Sequence, residues 1–252
     1  MLPNFLIVGA ARSGTTTLYN HLKDHPDVYL PVNKRPEPHF FLKAAEYIQG
    51  LAYYEQRYFS ACRNQKAVGE ASTSYLFGPD VPKRIRSSLP DVKLICILRD
   101  PVERAFSSYW HTVKSGLETL SFDEAIVREA QRKDETAGTA FEEIAPFAYA
   151  ERGLYYCQLS RWLSEFPRSQ MKIVIFDDFV ADPIKILREV AGFLDVSPEG
   201  LPKRGVEMEN KSVPAEARML PATRRMLIES LREDVDALGQ LLDRDLAFWL
   251  KP

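Results

Sequence analysis

The chain has 252 residues, of which 45% are hydrophobic and 27% charged, and its formal net charge is -2. This composition is that of an ordinary globular protein, and the length is enough for one sizeable core, so we expect a single domain over residues 1–252. A net charge so close to zero provides no general attraction to nucleic acid or to a membrane surface. Any anion site must therefore be built locally.

The amino-terminal sequence MLPNFLIVGAARSG has no basic segment ahead of its short apolar run, which argues against a signal peptide. No stretch approaches the roughly 20 apolar residues of a membrane-spanning helix. The three cysteines are far apart and form no C-x-x-C pair, a usage typical of reduced packing residues. We therefore predict a cytoplasmic protein without a membrane span.

A strand, a glycine loop and a helix follow one another at the amino terminus. Residues 4–8 form a short apolar run, and residues 15–25 carry apolar side chains at helical spacing before a proline. Between them, Gly9, Gly14 and Thr16 occupy the positions of the two glycines and the final hydroxyl of the P-loop motif G-x-x-x-x-G-K-[ST]. A plain tight turn is the alternative, and the sequence Arg-Ser-Gly-Thr-Thr favours the phosphate loop over it.

The loop lacks the lysine of a nucleotide-binding P-loop, because Thr15 stands in its place. Hydroxyls and backbone N–H groups at a helix N-terminus still favour an anion, since the first-turn donors are unpaired and this end of the helix dipole is positive. Arg12 is the one formal positive charge in the loop. We therefore expect an anion with less charge at its end than a triphosphate.

Strands and helices alternate along the rest of the chain. Strands are predicted at KAVGEAS, VKLICILRD and MKIVIFDDF, and a loop with extended pieces at the proline-rich HPDVYLPVNKRPEPHFF. Helices are predicted at residues 47–59, 79–89, 121–135, 155–166 and 223–250, in DPVERAFSSYWHTVKSG, and after the last strand through residue 193. The alternation predicts an α/β, P-loop-like three-layer fold with a central parallel sheet flanked by helices, whose ligands bind beyond the carboxyl ends of the strands.

A second candidate anion site follows the most apolar strand, which would carry Arg99 at its carboxyl end. The start of the next helix is predicted by three sequence signals, with Asp100 as its N-cap, Pro101 at its first position and Glu103 at capping-box spacing. The guanidinium of Arg99 can bind a phosphate with two parallel hydrogen bonds, and Ser107 Oγ can add a third. The alternative for Arg99 is a surface salt bridge.

Together these motifs resemble those of sulfotransferases that use 3′-phosphoadenosine 5′-phosphosulfate (PAPS). ARSGTTTL is similar to the family's 5′-phosphosulfate loop, and LICILRDPVERAFSSYWH is similar to its 3′-phosphate segment. The resemblance extends through KRPEPHFF, GEASTSYLF and ERGLYYCQLSRWLSEFP, and is closest to the branch of heparan sulfate glucosaminyl sulfotransferases and their bacterial relatives. It implies transfer of a sulfuryl group to a hydroxyl, or less readily an amine, of a carbohydrate, lipid or secondary-metabolite acceptor, with release of adenosine 3′,5′-bisphosphate (PAP).

The resemblance also implies which residues bind the cofactor, and it implies no metal ligand. The candidates are Arg12, Ser13, Gly14, Thr15, Thr16 and Thr17 in the loop, Arg99 and Ser107 in the second segment, and Tyr155, Lys211 and Arg218 further along. For Tyr155 a role in the core is an equal alternative. For Lys211 and Arg218 the alternative is a solvated basic loop.

An acceptor hydroxyl needs a base, and Glu37 and His39 in RPEPHFF are the candidates. By resemblance, Glu37 matches the glutamate that glucosaminyl O-sulfotransferases use as general base, and His39 matches the histidine two residues on. A carboxylate in an apolar, partly closed site has its pKa raised, which improves a base. Arg12 is the third catalytic candidate, because with the loop N–H groups it can stabilise charge on the leaving phosphate. The alternatives are a capping or salt-bridging role for Glu37 and a hydrogen-bonded wall position for His39.

One departure from the family stands out. The heparan sulfate enzymes have Glu-Lys-Thr where this chain has Glu70-Ala71-Ser72. The missing lysine leaves open which group contacts the transferred sulfuryl, with Lys34, Arg35 and Ser72 as candidates, and Glu70 is expected to support the site or the acceptor. Two other functions stay open: a P-loop kinase or NTPase, which would need a lysine on the phosphates, and a PAP-binding protein without catalysis.

Overall fold

A computed structural model of the chain describes residues 1–31, 37–139, 145–202, 205 and 212–251. Its strands are β1 (Phe5–Gly9), β2 (Val28–Tyr29), β3 (Ala67–Ala71), β4 (Lys93–Leu98) and β5 (Met171–Ile175). They form one parallel sheet in the order β2-β3-β1-β4-β5. The sequence predicted four of these strands. It placed β2 in a loop, because a two-residue strand has no periodicity to detect.

Helices separate the strands, as the alternating pattern predicts. They are α1 (Thr15–Lys23), α2 (Ala44–Tyr47), α3 (Gly50–Phe59), α4 (Val81–Ser88), α5 (Pro101–Lys114), α6 (Phe122–Val127), α7 (Glu129–Thr136), α8 (Tyr155–Glu165), α9 (Phe176–Ala181), α10 (Pro183–Phe193) and α11 (Pro221–Leu242). The helix predicted over residues 121–135 is divided at Arg128 into α6 and α7. In the described part of the chain, no helix is both long enough and apolar enough to cross a membrane.

The sheet has apolar side chains on both faces, as expected of parallel strands covered by helices. On one face, Phe5 and Ile7 of β1 pack in a cluster with Leu18 of α1 and Val190 of α10. The alternate residues of β1, Leu6 and Val8, are also fully buried. This arrangement confirms the predicted α/β fold with a central parallel sheet flanked by helices.

The chain folds into two compact units, each made from two stretches of sequence. The first comprises residues 1–98 and 161–210 and contains the whole sheet, and the second comprises residues 99–160 and 211–252. The second unit has its own apolar core, formed by Val102, Ala105, Phe106, Phe122, Leu227 and Leu231. The prediction of one domain over residues 1–252 stays a prediction.

Candidate active site

The glycine loop joins β1 to α1, as the sequence predicts. Gly14, the residue before α1, has a φ of 85°, in the left-handed region that glycine occupies without strain. The first N–H groups of any α-helix have no carbonyl partner within the helix, and the start of α1 is therefore of the kind that binds anions. The backbone N–H of Ala10 donates to the carbonyl of Ile97 at 2.9 Å, which fixes the start of the loop to the end of β4.

The loop itself contains buried polar groups. Ser13 is fully buried, and its Oγ has no hydrogen-bond partner among the described residues. A buried hydroxyl without a partner costs about 1–3 kcal/mol, which a bound anion would recover. Arg12 has a φ of 71°, a strained value for a residue with a side chain and one that tends to occur at functional sites. A buried unpartnered hydroxyl and a strained arginine are both features of an anion-binding loop.

A carboxylate is held at the same edge of the sheet. Glu37 Oε2 accepts from the backbone N–H of Thr73 at 2.8 Å, and both carboxylate oxygens lie 3.1 Å from Thr73 Oγ1. His39 Nε2 lies 3.4 Å from Glu37 Oε2, and the two side chains are 13% and 17% exposed, which leaves both accessible to a substrate. A Cβ on Gly9 would lie 3.2 Å from the Thr73 carbonyl oxygen. Thr73, which holds the Glu37 carboxylate, therefore packs directly against Gly9 at the start of the phosphate loop.

A second carboxylate, that of Glu70, is buried near the end of β3. Glu70 is 1% exposed, and its oxygens accept from Ser72 Oγ at 2.9 Å and from the Tyr54 hydroxyl at 3.2 Å. Burial raises the pKa of Glu70 to about 7, with a contribution from the charge of Glu37, against the hydrogen bonds from Ser72, Tyr75 and Tyr54. Sequence reasoning named Glu70 but not the two tyrosines, because only the tertiary fold brings them to it.

The start of α5 agrees only in part with the sequence. Asp100 Oδ1 accepts from the N–H groups of Val102 at 2.8 Å and Glu103 at 3.2 Å, which confirms the predicted N-cap. The expected capping box is wrong in its second half. The Glu103 carboxylate accepts from Arg224 Nη1 at 2.6 Å, because the fold places a charged partner beside it.

The predicted 3′-phosphate segment lies on α5 and the residue before its cap. Arg99 directly follows β4 and is partly exposed, and Ser107 is 3% exposed on the helix. Arg104, a third polar residue of this helix, is fully buried and donates to the Tyr149 carbonyl oxygen. Burial lowers the pKa of Arg104, and the charge of Arg99 acts in the same direction. Arg104 therefore belongs to the core of its unit, while Arg99 and Ser107 stay predicted phosphate ligands.

The remaining predicted ligands have weaker structural support. Tyr155 is fully buried and packs edge-on against Trp249, with ring centroids 6.3 Å apart, which favours a role in the core. Arg218 is exposed and donates to two carbonyl groups of its own loop, which favours the solvated-loop alternative. Three residues named from the sequence, Lys34, Arg35 and Lys211, lie outside the described residues.

Comparison with known proteins identifies the family of this chain. The family model of the sulfotransferase domain matches residues 2–221. The chain belongs to the sulfotransferase family. The crystal structure of a sulfotransferase from Alicyclobacillus acidocaldarius is 34% identical and superposes with a TM-score of 0.84 over 100% of both chains. The family resemblance predicted from the sequence is therefore confirmed.

Two curated sulfotransferases are similar over most of this chain. Heparan sulfate glucosamine 3-O-sulfotransferase 3B1 of Mus musculus is 35% identical over 193 residues, which cover 77% of this chain and 46% of that protein. Membrane-associated sulfotransferase kil1 of Dictyostelium discoideum is 27% identical over 270 aligned residues, covering 78% and 56%. The chain thus spans about half the length of these relatives.

The position where heparan sulfate sulfotransferases carry a lysine is apolar in this sulfotransferase. Ala71 is 1% exposed and lies in the same cluster as Phe5 and Leu18. Because side chains alternate along a strand, residue 71 points away from the face that carries Glu70 and Ser72. Residue 71 of this chain therefore supplies no charged group to the site.

Proposed function

We propose that this protein transfers a sulfuryl group from PAPS to a hydroxyl of an acceptor molecule and releases PAP. The observation that carries the proposal is the juxtaposition of an anion-binding loop with Glu37 at the carboxyl edge of β1 and β3. Membership of the sulfotransferase family supports the same reaction. PAPS supplies the sulfuryl group, and the residues of this chain would bind PAPS, orient the acceptor and deprotonate its hydroxyl.

The phosphate loop would hold the 5′-phosphosulfate. The proposed ligands are the hydroxyls and N–H groups of Ser13, Gly14, Thr15, Thr16 and Thr17, together with the Arg12 guanidinium. Their preorganised donors and the positive end of α1 would stabilise the charge that develops on the leaving phosphate. Support comes from the buried, unpartnered hydroxyl of Ser13.

The 3′-phosphate would be bound by Arg99 and Ser107, which follow the strand next to β1 in the sheet. A guanidinium provides two parallel hydrogen bonds to phosphate, and the serine hydroxyl provides a third. Tyr155, Lys211 and Arg218 are proposed as further ligands on the family resemblance alone.

Glu37 would act as general base. Its carboxylate is oriented by Thr73 and remains partly accessible, as a base that must reach an acceptor hydroxyl requires. His39 lies within reach of Glu37 and would orient either that carboxylate or the acceptor. The alternative assignment, with His39 as base, is decided by variants of the two residues.

The acceptor is proposed to be a carbohydrate, with a lipid or a secondary metabolite as alternatives. The support is the similarity to proteins named heparan sulfate glucosamine 3-O-sulfotransferases. The same similarity supports our proposal of a hydroxyl, ahead of an amine, as the group that receives the sulfate. The cytoplasmic location predicted from the sequence stays a prediction.

Two measurements test this proposal. PAP should raise the thermal unfolding midpoint, because a ligand that binds the folded state stabilises it, whereas ATP with magnesium should not. Transfer of labelled sulfate from PAPS to a panel of sugars, lipids and metabolites then identifies the acceptor. Stabilisation by ATP with magnesium alone would favour a kinase or NTPase. PAP binding without transfer to any acceptor would favour a binding protein, the alternative that Ala71 suggests.

A further inference from the structure

We propose that Glu70 is a positioning residue, which fixes the backbone of the segment carrying Glu37 and His39 through Ser72 and Tyr75. The inference rests on the proposed function, in which Glu37 is the base. At 1% exposure Glu70 cannot contact an acceptor, so its contribution has to pass through its neighbours. Two separate hydrogen-bonded routes connect it to this segment.

The first route runs through Ser72. Ser72 Oγ donates to Glu70 Oε2 at 2.9 Å and accepts from the backbone N–H of His39 at 2.9 Å. A hydroxyl has one proton and two lone pairs, so donation to the carboxylate leaves a lone pair free for the His39 N–H. His39 has a φ of 51°, a strained value that persists only where the surroundings hold the backbone in place.

The second route runs through Tyr75. The Tyr75 hydroxyl accepts from the backbone N–H of Phe41 at 3.2 Å, and its interaction with Glu70 lowers the pKa of that carboxyl. Ser72 and Tyr75 are both fully buried, and in such surroundings a carboxylate makes hydrogen bonds that are stronger than those between neutral groups. One carboxylate therefore holds two N–H groups of the segment, two residues apart.

Tyr54 provides a matched control within the same cluster. Its hydroxyl donates to Glu70 Oε1 at 3.2 Å, and among the described residues that hydroxyl bonds Glu70 alone. Its ring stacks on Phe40 with centroids 4.3 Å apart, and this contact does not need the hydroxyl. Tyr54→Phe and Tyr75→Phe thus each remove one buried hydroxyl from Glu70, but only Tyr75→Phe removes an acceptor from the segment.

Hydrogen exchange at individual backbone amides tests the routes without any turnover. Tyr75→Phe should speed exchange of the Phe41 amide by about 5–10-fold, the effect of losing one ordinary hydrogen bond. Ser72→Ala should do the same at His39. Tyr54→Phe should leave both amides unchanged. Equal exchange in the two tyrosine variants would overturn the proposal.

Kinetics then separate positioning from a purely structural role. Tyr75→Phe and Ser72→Ala should lower kcat by about tenfold, because a small displacement of a base is costly, while the affinity for PAP stays unchanged. Glu70→Gln keeps an acceptor oxygen for the two routes and should retain more activity than Glu70→Ala. If Glu70→Ala does not fold, the hydroxyl variants decide.

The two possible failures are distinguishable. If the wild-type protein transfers no sulfate from PAPS to any acceptor, the proposed function fails, and exchange of the His39 and Phe41 amides in Glu70→Ala still decides whether Glu70 holds the segment. If the wild type transfers sulfate but Tyr75→Phe and Tyr54→Phe have the same kcat, the positioning role is wrong and the function stands.

Discussion

Two buried glutamates, one in each unit, have opposite electrostatic surroundings. Glu70 accepts from neighbouring hydroxyl groups, and burial raises its pKa to about 7. Burial acts in the same direction on Glu118, but there the hydrogen bonds from Arg132, the Leu120 N–H and Tyr149 outweigh it and lower the pKa to about 2. Arg132 Nη2 donates to Glu118 Oε1 at 2.8 Å, and Nη1 donates to the other oxygen.

The comparison distinguishes Glu118, a carboxylate that stabilises the fold, from Glu70, a carboxylate whose ionisation is opposed by burial. Glu118 is fully ionised, paired with a guanidinium and bonded to backbone N–H groups, as in a structural ion pair. Within the described part of the chain, no lysine or arginine pairs with Glu70, which lies beneath the proposed base. A carboxylate whose pKa is raised by burial at the edge of a ligand site is typical of functional sites.

The largest effect on stability is expected at the structural glutamate. Glu118→Gln should lower the free energy of unfolding by about 3–5 kcal/mol, because breaking a buried pair leaves the other charge uncompensated. Glu229→Gln is the matched control: Glu229 is 76% exposed and pairs with Arg232 on the same helix, so its loss should cost no more than about 0.5 kcal/mol. Chemical denaturation measures both, and similar losses would remove the distinction between the glutamates.

The pH dependence of stability should differ in sign between the two sites. As pH rises from 4.5 to about 7, the unfolded chain releases the Glu70 proton while the folded chain retains it, so stability falls. Glu70→Gln removes that loss and should therefore gain roughly 3 kcal/mol relative to wild type across this window. Glu118 has a lowered pKa, so its stabilisation is present above pH 4.5 and is lost as pH falls toward 2.

Denaturation of wild type, Glu70→Gln and Glu118→Gln at several pH values measures these differences. The gap between wild type and Glu70→Gln should change between pH 4.5 and 7, and the gap for Glu118→Gln should change only below pH 4.5. The same pH window for both variants would contradict the assignment of opposite shifts.

Arg99 tests whether the unit that contains Glu118 also contains a functional side chain. Arg99→Ala should weaken PAP binding by roughly 1.5–3 kcal/mol, the scale of hydrogen bonds to a charged group. The affinity for adenosine 5′-monophosphate should change far less, because that nucleotide has no 3′-phosphate. Calorimetry with the two ligands measures the difference, and equal losses would show that Arg99 does not bind the 3′-phosphate.

The smallest expected effect concerns metal ions. The proposed site holds its anion with Arg12 and with the N–H groups at the start of α1, so sulfate transfer should continue unchanged in excess EDTA. Loss of transfer that magnesium restores would instead place this region nearer to a P-loop kinase or NTPase.

The parts of the structure that local sequence determines were predictable. The glycine loop between β1 and α1 follows from two glycines at fixed spacing after an apolar run, and the Asp100 cap follows from the sequence Asp-Pro before a helix. Thr73 was not foreseen as the partner of Glu37, nor Arg224 as the partner of Glu103. These contacts join residues far apart in the chain, so no local pattern reports them.

The Glu70 cluster shows the same limit most clearly. Tyr54 lies in an aromatic-rich helix and Tyr75 follows a strand. From the sequence, either tyrosine is equally consistent with an ordinary core residue. Only the fold brings the Tyr54 hydroxyl within 3.2 Å of the Glu70 carboxylate and sets Tyr75 beside it. The candidate base was found through family resemblance, whereas the hydrogen bonds that hold its segment required the fold.

The central claim is that Glu37 deprotonates the acceptor during sulfuryl transfer from PAPS. The direct test is kcat for labelled sulfate transfer by wild type, Glu37→Gln, His39→Ala and the exposed control Glu229→Gln. Glu37→Gln keeps the size of the side chain but cannot take a proton, so kcat should fall by about 10²–10⁴ with PAP affinity nearly unchanged. His39→Ala should lose less, and Glu229→Gln nothing. If Glu37→Gln retains most of its activity while folded His39→Ala has none, the histidine is the base and the claim is contradicted.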